Sequence, residues 1–302
     1  MRNEILFYYN LNPIKIHQQQ NKTVIYTIEK KYILYKIYQD KNTITEIYKL
    51  YNYLIAYGLY CHKIILNAYN EIITIINNNK YVLLEINKET KKIDINDIMY
   101  YTKFKINKNE FKNLERETWK KLWEQKVDYI EYELSEQKNK YINITYDYDF
   151  FLGITENCIS LLDTANITNT FLTISHNRLS TKMTTDDFYN PFEFIIDIRV
   201  RDYGEYIRSI LNINQKNNIL ERIIKYASLN ADEIKLLFIR ILFPGQFFDI
   251  YENASKKNIK QNIENEIKKM IENYNSYIKK IYFYIKSTLN FPTIEWLISD
   301  SI

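Results

Sequence analysis

The sequence predicts an α+β fold in two lobes: a small β-rich N-terminal lobe over 1–86, a connector over 87–108 and a larger helical lobe over 109–302. Two patterns predict it. Short β-branched and aromatic runs dominate the first part, and apolar residues recur at helical spacing after about Asn109. Length agrees, since 302 residues reach the size at which a single core stops growing, about 250–300 residues.

Thr23 to Ile28 and Tyr32 to Tyr38, separated by Glu29-Lys30-Lys31, read as a hairpin. The period then changes. Ile44, Ile47, Tyr48, Tyr51, Leu54 and Ile55 recur on one helical face, with Thr43-x-x-Glu46 as a capping box and Gly58 placed to end the helix. Strands return at Lys63 to Leu66, Glu71 to Ile76 and Lys80 to Ile86, the last two joined at Asn77-Asn78-Asn79. In the larger lobe, Phe111, Leu114, Trp119, Leu122, Trp123, Val127 and Ile130 form one apolar stripe, and Phe150 to Leu162 forms a second amphipathic segment. Leu172 to Leu179 and Phe194 to Ile198 are extended. Helices follow at Tyr203 to Leu211, with Asp202 and Glu205 as a cap, and at Ile219 to Tyr226. Another covers Ile234 to Leu242, capped by Asn230-x-x-Glu233 and stopped by Pro244-Gly245, and a long one runs from about Ile259 to Leu289. Its stripe of Ile259, Ile263, Ile267, Ile271, Tyr274, Ile278, Ile281 and Ile285 packs on its own lobe or serves self-association.

Composition removes several function classes. Only 4 glycines and 4 prolines argue against glycine-rich phosphate loops and against an all-β fold with many tight turns. The 29 tyrosines, with abundant Ile, Asn and Lys, fit an A+T-rich coding bias, so interleaved aromatics do not speak for nucleic-acid binding. The net charge of +4 is scattered, and no nucleic-acid or other acidic polymer partner follows from it. Cys61 and Cys158 lie too far apart for a Cys-x-x-Cys site and are expected to be buried thiols. Met1-Arg2-Asn3-Glu4 does not open a signal peptide, and no stretch reaches the ~18 apolar residues of a membrane span. A protein kept inside a cell, or in something assembled there, is expected.

The informative chemistry lies at Ser175-His176-Asn177-Arg178-Leu179, followed by Phe194 to Ile198 and Arg201-Asp202. In kinase-like phosphotransferases a strand leads into a His-x-Asp loop whose Asp accepts the substrate hydroxyl proton. Here Arg178 holds that position, and a guanidinium cannot act as a general base. The amide that would hold magnesium five residues on falls at Met183, a poor magnesium ligand. Asn177, Asp186 or Asp187 are weak substitutes, the last two sitting at a helix or turn start. Asp197 stands where a magnesium-binding Asp is expected, but one carboxylate alone holds the ion poorly. The preferred reading is an ion pair with Arg178 or Arg199. His176 has no ligating companion and reads as a buried, hydrogen-bonded histidine. Lys36 and Glu46 are spaced like a strand-lysine and helix-glutamate pair that would hold a nucleotide, and equally like a surface lysine and a capping-box glutamate. Asn10 to Asn21 contains no glycine that would let backbone amides approach phosphates. No Gly-x-Ser-x-Gly nucleophile elbow occurs.

Together, several segments resemble the kinase-like spore coat proteins of endospore-forming bacteria, the CotS and YutH type, related in fold to aminoglycoside and choline phosphotransferases. The carrying pieces are Trp119-x-x-x-Trp123 with Asp128, Phe151-Leu152-Gly153-x-x-Glu156-Asn157, and His176-x-Arg178-Leu179. Others are Ile196-Asp197, Arg201-Asp202-x-x-Glu205-Tyr206-Ile207-Arg208, Leu236-x-x-x-Arg240-x-Leu242-Phe243-Pro244 and Phe247-Phe248-Asp249. Pro292-x-Ile294-Glu295-Trp296-Leu297 closes the set. The His-x-Arg-Leu segment looks most like the YutH branch, in which the catalytic Asp is likewise replaced. The resemblance implies a protein made in the mother-cell cytoplasm and deposited in the spore coat, with other coat or morphogenesis proteins as partners. It implies a kinase-like fold without catalysis and with no cofactor. The alternatives are a small-molecule phosphotransferase with an atypical site, or an ATP-binding regulator without turnover that uses Lys36, Glu46 and Asp197.

Overall fold

In a computed structural model the described residues are 1–19, 21–137, 142–180, 182–210, 219–250, 261–289 and 291–298. Strands β1 (Lys15–Gln18), β2 (Lys22–Tyr26), β3 (Lys31–Ile37), β4 (Lys63–Ile65), β5 (Thr74–Ile76) and β6 (Asn79–Ile86) build one antiparallel sheet in the order β1-β2-β3-β6-β4, with β5 also on β6. Both faces of this sheet are covered. Ile33, Tyr35 and Ile37 pack with Ile44, Ile47, Leu50 and Leu54 of helix α2 (Lys41–Ala56). The alternate residues Tyr32 and Leu34 pack with Ile5 of helix α1 (Arg2–Tyr9) in a second cluster. Double burial explains why β3 reads as a nearly continuous apolar run.

Helix α1 and strand β1 were not expected, both being short and β1 also largely polar. Helix α2 starts earlier than the Thr43 capping box implies, because Asp40 is the cap and accepts from the amides of Asn42 and Thr43. Its end agrees with the sequence: Gly58 follows at φ +70°, a conformation that glycine adopts without strain. Strand β5 begins three residues late because the Asn67 side chain accepts from the amides of Tyr69 and Glu71 and holds that stretch in a turn. Asn77 and Asn78 both take positive φ and make the tight β5–β6 turn.

The span read as connector contains helix α3 (Ile95–Thr102), closed by an Asp94–Asp97 capping box. Beyond it lie α4 (Trp119–Gln137), α5 (Ile142–Leu162), strand β7 (Leu172–His176), the short α6 (Thr185–Phe188) and strand β8 (Phe194–Ile198). Strands β7 and β8 pair antiparallel with Thr173 opposite Asp197 and His176 opposite Phe194. Helices α7 (Arg201–Ile210), α8 (Ile219–Ala227), α9 (Ala231–Leu242), α10 (Gln261–Thr288) and α11 (Glu295–Ile298) complete the lobe. Asn230 and Glu233 form the expected capping box of α9. Ile278, Ile281 and Ile285 of α10 are buried in the lobe's own core, with Tyr282 against Phe238 of α9. Leu211 and Ile259, and the side chains of Ile263, Ile267 and Tyr274, lie outside the described residues. Cys61 and Cys158 are buried and free, and burial pushes the Cys61 thiol up to about 12. Among the described residues no helix is long and apolar enough to cross a membrane.

Candidate functional site

Strand β7 ends at His176, which is fully buried. Its Nε2 lies 2.8 Å from the Phe188 carbonyl and, because a carbonyl only accepts, donates to it. Nδ1 faces Asp202 Oδ2 at 2.6 Å, and the Asp202 Oδ1 accepts from the His176 amide at 3.2 Å. Phe188 stacks on the ring at 4.1 Å. His176 is thus the buried, fully bonded residue the sequence suggests.

Arg201 ties this cluster together. Its Nη1 donates to the His176 carbonyl and to Asp202 Oδ1, and its Nη2 donates to the Asn177 carbonyl at 3.1 Å. Its Nε lies 3.1 Å from Asp197 Oδ2. Asp197 therefore pairs with Arg201, and the expected pairing with Arg178 or Arg199 is corrected. Arg199 turns the other way, to Glu233 and to the carbonyls of Thr102 and Ala227. The other Asp197 oxygen accepts from the Trp119 indole at 3.0 Å and from the Ile198 amide at 2.6 Å. Oδ2 completes no hydrogen bond, and burial raises the carboxyl despite Arg201.

Asp202 and Glu205 do not cap α7 as expected. The helix already begins at Arg201, so Asp202 sits in its first turn and bonds His176. Glu205 instead accepts from Arg240 Nε at 2.7 Å and from Arg208 Nη2 at 2.5 Å. Burial pushes its carboxyl up, but Arg208, Arg240 and Arg201 outweigh this and bring it down to about 2. The Arg240 guanidinium also lies over Trp119, 5.0 Å from the ring centre.

Arg178 projects from the loop after β7 into a cleft of about 900 Å³ that Met183 and Asp197 also line. It is exposed and has no hydrogen-bond or ion-pair partner among the described residues. Met183 is half-buried, and only its backbone bonds, to Ile93 and Ser180.

On the small-lobe side, Lys36 and Glu46 do not meet. Lys36 shares the sheet face of Tyr32 and Leu34, opposite Tyr81 of β6, which is the α1 side, whereas Glu46 rides on α2 across the sheet. The Lys36 ammonium lies 5.4 Å from the Tyr38 ring, and Glu46 accepts from the Asn113 amide at 2.6 Å. Residues on the cleft face do cross to the large lobe. Lys22 binds Asp187 at 2.6 Å, Lys31 binds Asp186 at 2.5 Å, and the Tyr35 hydroxyl donates to the Asp186 carbonyl at 3.0 Å. Asp186 and Asp187, weak substitutes for the missing base in the sequence, are thus engaged.

The connector is bonded as well. Thr185 donates through its amide to the Lys91 carbonyl and through its hydroxyl to the Glu89 carbonyl, and its hydroxyl accepts from the Lys91 amide. Lys92 bridges Thr184 and the Ile93 amide reaches the Met183 carbonyl. Lys88 sits among Tyr189, Tyr60 and Tyr100, 3.8, 4.5 and 5.7 Å from their ring centres. Sequence reasoning missed Lys22, Lys31 and Tyr35. Strand alternation held the signal, since Lys31 and Tyr35 lie two residues either side of the core residue Ile33.

Among the described residues no group of three or more His, Cys, Asp or Glu could hold a metal ion. A profile of the family described as "Spore coat putative kinase YutH" matches residues 2–283. No curated protein matches the sequence. Among solved structures, an aminoglycoside phosphotransferase from Alicyclobacillus acidocaldarius subsp. acidocaldarius DSM 446 is similar with TM-score 0.69 and 8% identity, over 91% of this chain and 93% of that one. Spectinomycin phosphotransferase APH(9)-Ia, in complex with ADP and spectinomycin, follows with TM-score 0.59 and 10% identity, over 94% and 97%. Choline kinase LicA from Streptococcus pneumoniae gives TM-score 0.52 and 12% identity, over 91% and 98%. At such identities these structures carry the fold alone, and the fold agrees with the two-lobed, kinase-like architecture the sequence predicts.

Proposed function

The chain belongs to the YutH family of kinase-like spore coat proteins, and from that premise we propose that it is a coat or sporulation protein that transfers no phosphoryl group and works through protein contacts. One observation carries this reading: the position of the proton-accepting carboxylate holds Arg178, exposed in the cleft with no hydrogen bond or ion pair among the described residues.

The residues present fit a magnesium nucleotide poorly. Met183 offers a thioether where an oxygen ligand is needed, and no glycine lies between Asn10 and Asn21 to admit phosphates. The lysine that would neutralise the phosphates, Lys36, alternates with Tyr35 along β3 and does not meet Glu46; both line a separate space of about 440 Å³ beside Asp187 and Glu193, where the Tyr35 ring occupies the α2 side of the sheet. An ATP-binding regulator built on Lys36, Glu46 and Asp197 loses support for the same reason.

The test is turnover. Purified protein given magnesium and ATP is expected to show no hydrolysis or transfer, and Arg178→Asp is expected to cause no loss. Activity abolished by Asp197→Ala would overturn the proposal. Calorimetric titration with ATP at physiological salt is expected to give no magnesium-dependent heat of binding.

One observation favours the second reading, a small-molecule phosphotransferase with an atypical site. Glu193 lines the cleft with a half-buried carboxyl that burial and then Asp187 push up, the direction a general base needs. If turnover exists, Glu193→Gln is expected to abolish it.

A further inference from the structure

Charges lining the cleft fall into two groups. Arg201, Arg208 and Arg240 are each bound to Asp197, Asp202 or Glu205, and Lys126 and Asp249 are not free either. Arg116, Arg178 and Lys182 are exposed, line the same space and have no acid within ion-pair distance among the described residues. Among the described residues, Glu193 is the lining acid whose carboxyl makes no hydrogen bond, and it feels the charge of Arg178 without pairing with it. Once internal pairs cancel, cationic groups outnumber anionic ones, and low-dielectric walls focus such a field into the opening.

The exposed side chains also have the chemistry for one ligand type. A guanidinium offers a planar fork that matches a carboxylate or phosphoryl group with two parallel hydrogen bonds. Between the cations lie half-buried Leu122 and Met183, apolar surface that can receive the carbon atoms of a bound chain. The space of about 900 Å³ falls within the ordinary range for ligand clefts, roughly 300–1,000 Å³, and a single small ion would leave most of it open.

We propose that this cleft is a docking site for an acidic protein segment, with Arg178 gripping one of its carboxylate or phosphoryl groups and Arg116 and Lys182 supporting the neighbouring charges. The inference deepens the protein-contact reading and rests on it. It also gives the arginine substitution a use, since the same position that cannot accept a proton can hold an oxyanion.

Calorimetry on the full chain in low salt tests this with three probes: a hexaglutamate peptide, a hexalysine peptide and inorganic phosphate. Hexaglutamate is expected to bind one site, hexalysine not at all, and phosphate far more weakly than hexaglutamate. Arg178→Ala and Lys182→Ala, both at exposed positions, are each expected to weaken hexaglutamate binding, the first by about tenfold or more. No hexaglutamate binding, equal binding of both peptides, or indifference to both substitutions overturns the site. Phosphate binding as tightly as the peptide makes the ligand a free ion and overturns the protein-segment assignment. Magnesium-ATP turnover with Arg178-dependent hexaglutamate binding intact removes the non-catalytic reading and leaves the anion site standing. No turnover and no hexaglutamate binding does the reverse.

Discussion

Arg201 and Arg178 line the same cleft, yet Arg201 is 2% exposed and bound to two carboxylates and two carbonyls, while Arg178 is exposed with no hydrogen bond or ion pair among the described residues. The contrast separates two roles that one active site combines. In the floor, burial makes every unpaired charge expensive, so His176, Asp197, Arg201 and Asp202 are locked together. At the rim, solvent tolerates almost any residue, so a carboxylate can give way to a guanidinium without disturbing the lobe.

Substitutions in the floor should break this contrast most severely. Arg201→Ala leaves Asp197 and Asp202 buried without their cation and is expected to cost about 3–5 kcal/mol in chemical denaturation. A loss below about 1 kcal/mol would mean that the floor is not the rigid half. Gly204→Ala comes next. An added Cβ would lie 2.6 Å from Arg240 Cγ and 3.0 Å from its Cβ, so the arginine bound to Glu205 must move, at a cost of about 1–3 kcal/mol.

Acid sharpens the comparison further. Glu205 is held down to about 2 from its ordinary 4.5, so its stabilising effect is complete above about 4.5 and fades as pH falls toward about 2. Wild type is expected to exceed Glu205→Gln in stability at neutral pH, with the gap closing across that window in denaturation curves taken at successive pH values. The smallest effect belongs to the rim. Arg178→Ala is expected to change stability by no more than about 0.5 kcal/mol.

The difference between floor and rim also explains what could be read in advance. Patterns set by burial and turn chemistry were legible: the apolar run of β3, the α2 stripe, the Asn230–Glu233 cap and the turn at Asn77 and Asn78. The base position was legible because His176 and Arg178 are two residues apart in a local motif. Pairings were less so. Asp197 was matched to Arg178 or Arg199, but the strand ends at Ile198 and the chain turns directly into α7, which brings Arg201 back over Asp197. Lys36 and Glu46 had the right spacing along the chain, but spacing does not say which face of a strand a residue occupies. Asp40 and Thr43 are both good caps, and the choice between them depends on where the strand before them ends.

The connector has a consequence for motion. Lobes that cycle around a ligand move about a few residues whose backbone can turn freely, on microsecond to millisecond timescales. In this chain the Lys91 and Ile93 amides are bonded to the large lobe and Lys88 is enclosed by rings from both sides of the joint. The joint should thus behave as a weld, and the amides of Lys91 and Ile93 should exchange their hydrogens about as slowly as those of β3 and β6, where a working hinge would exchange them early.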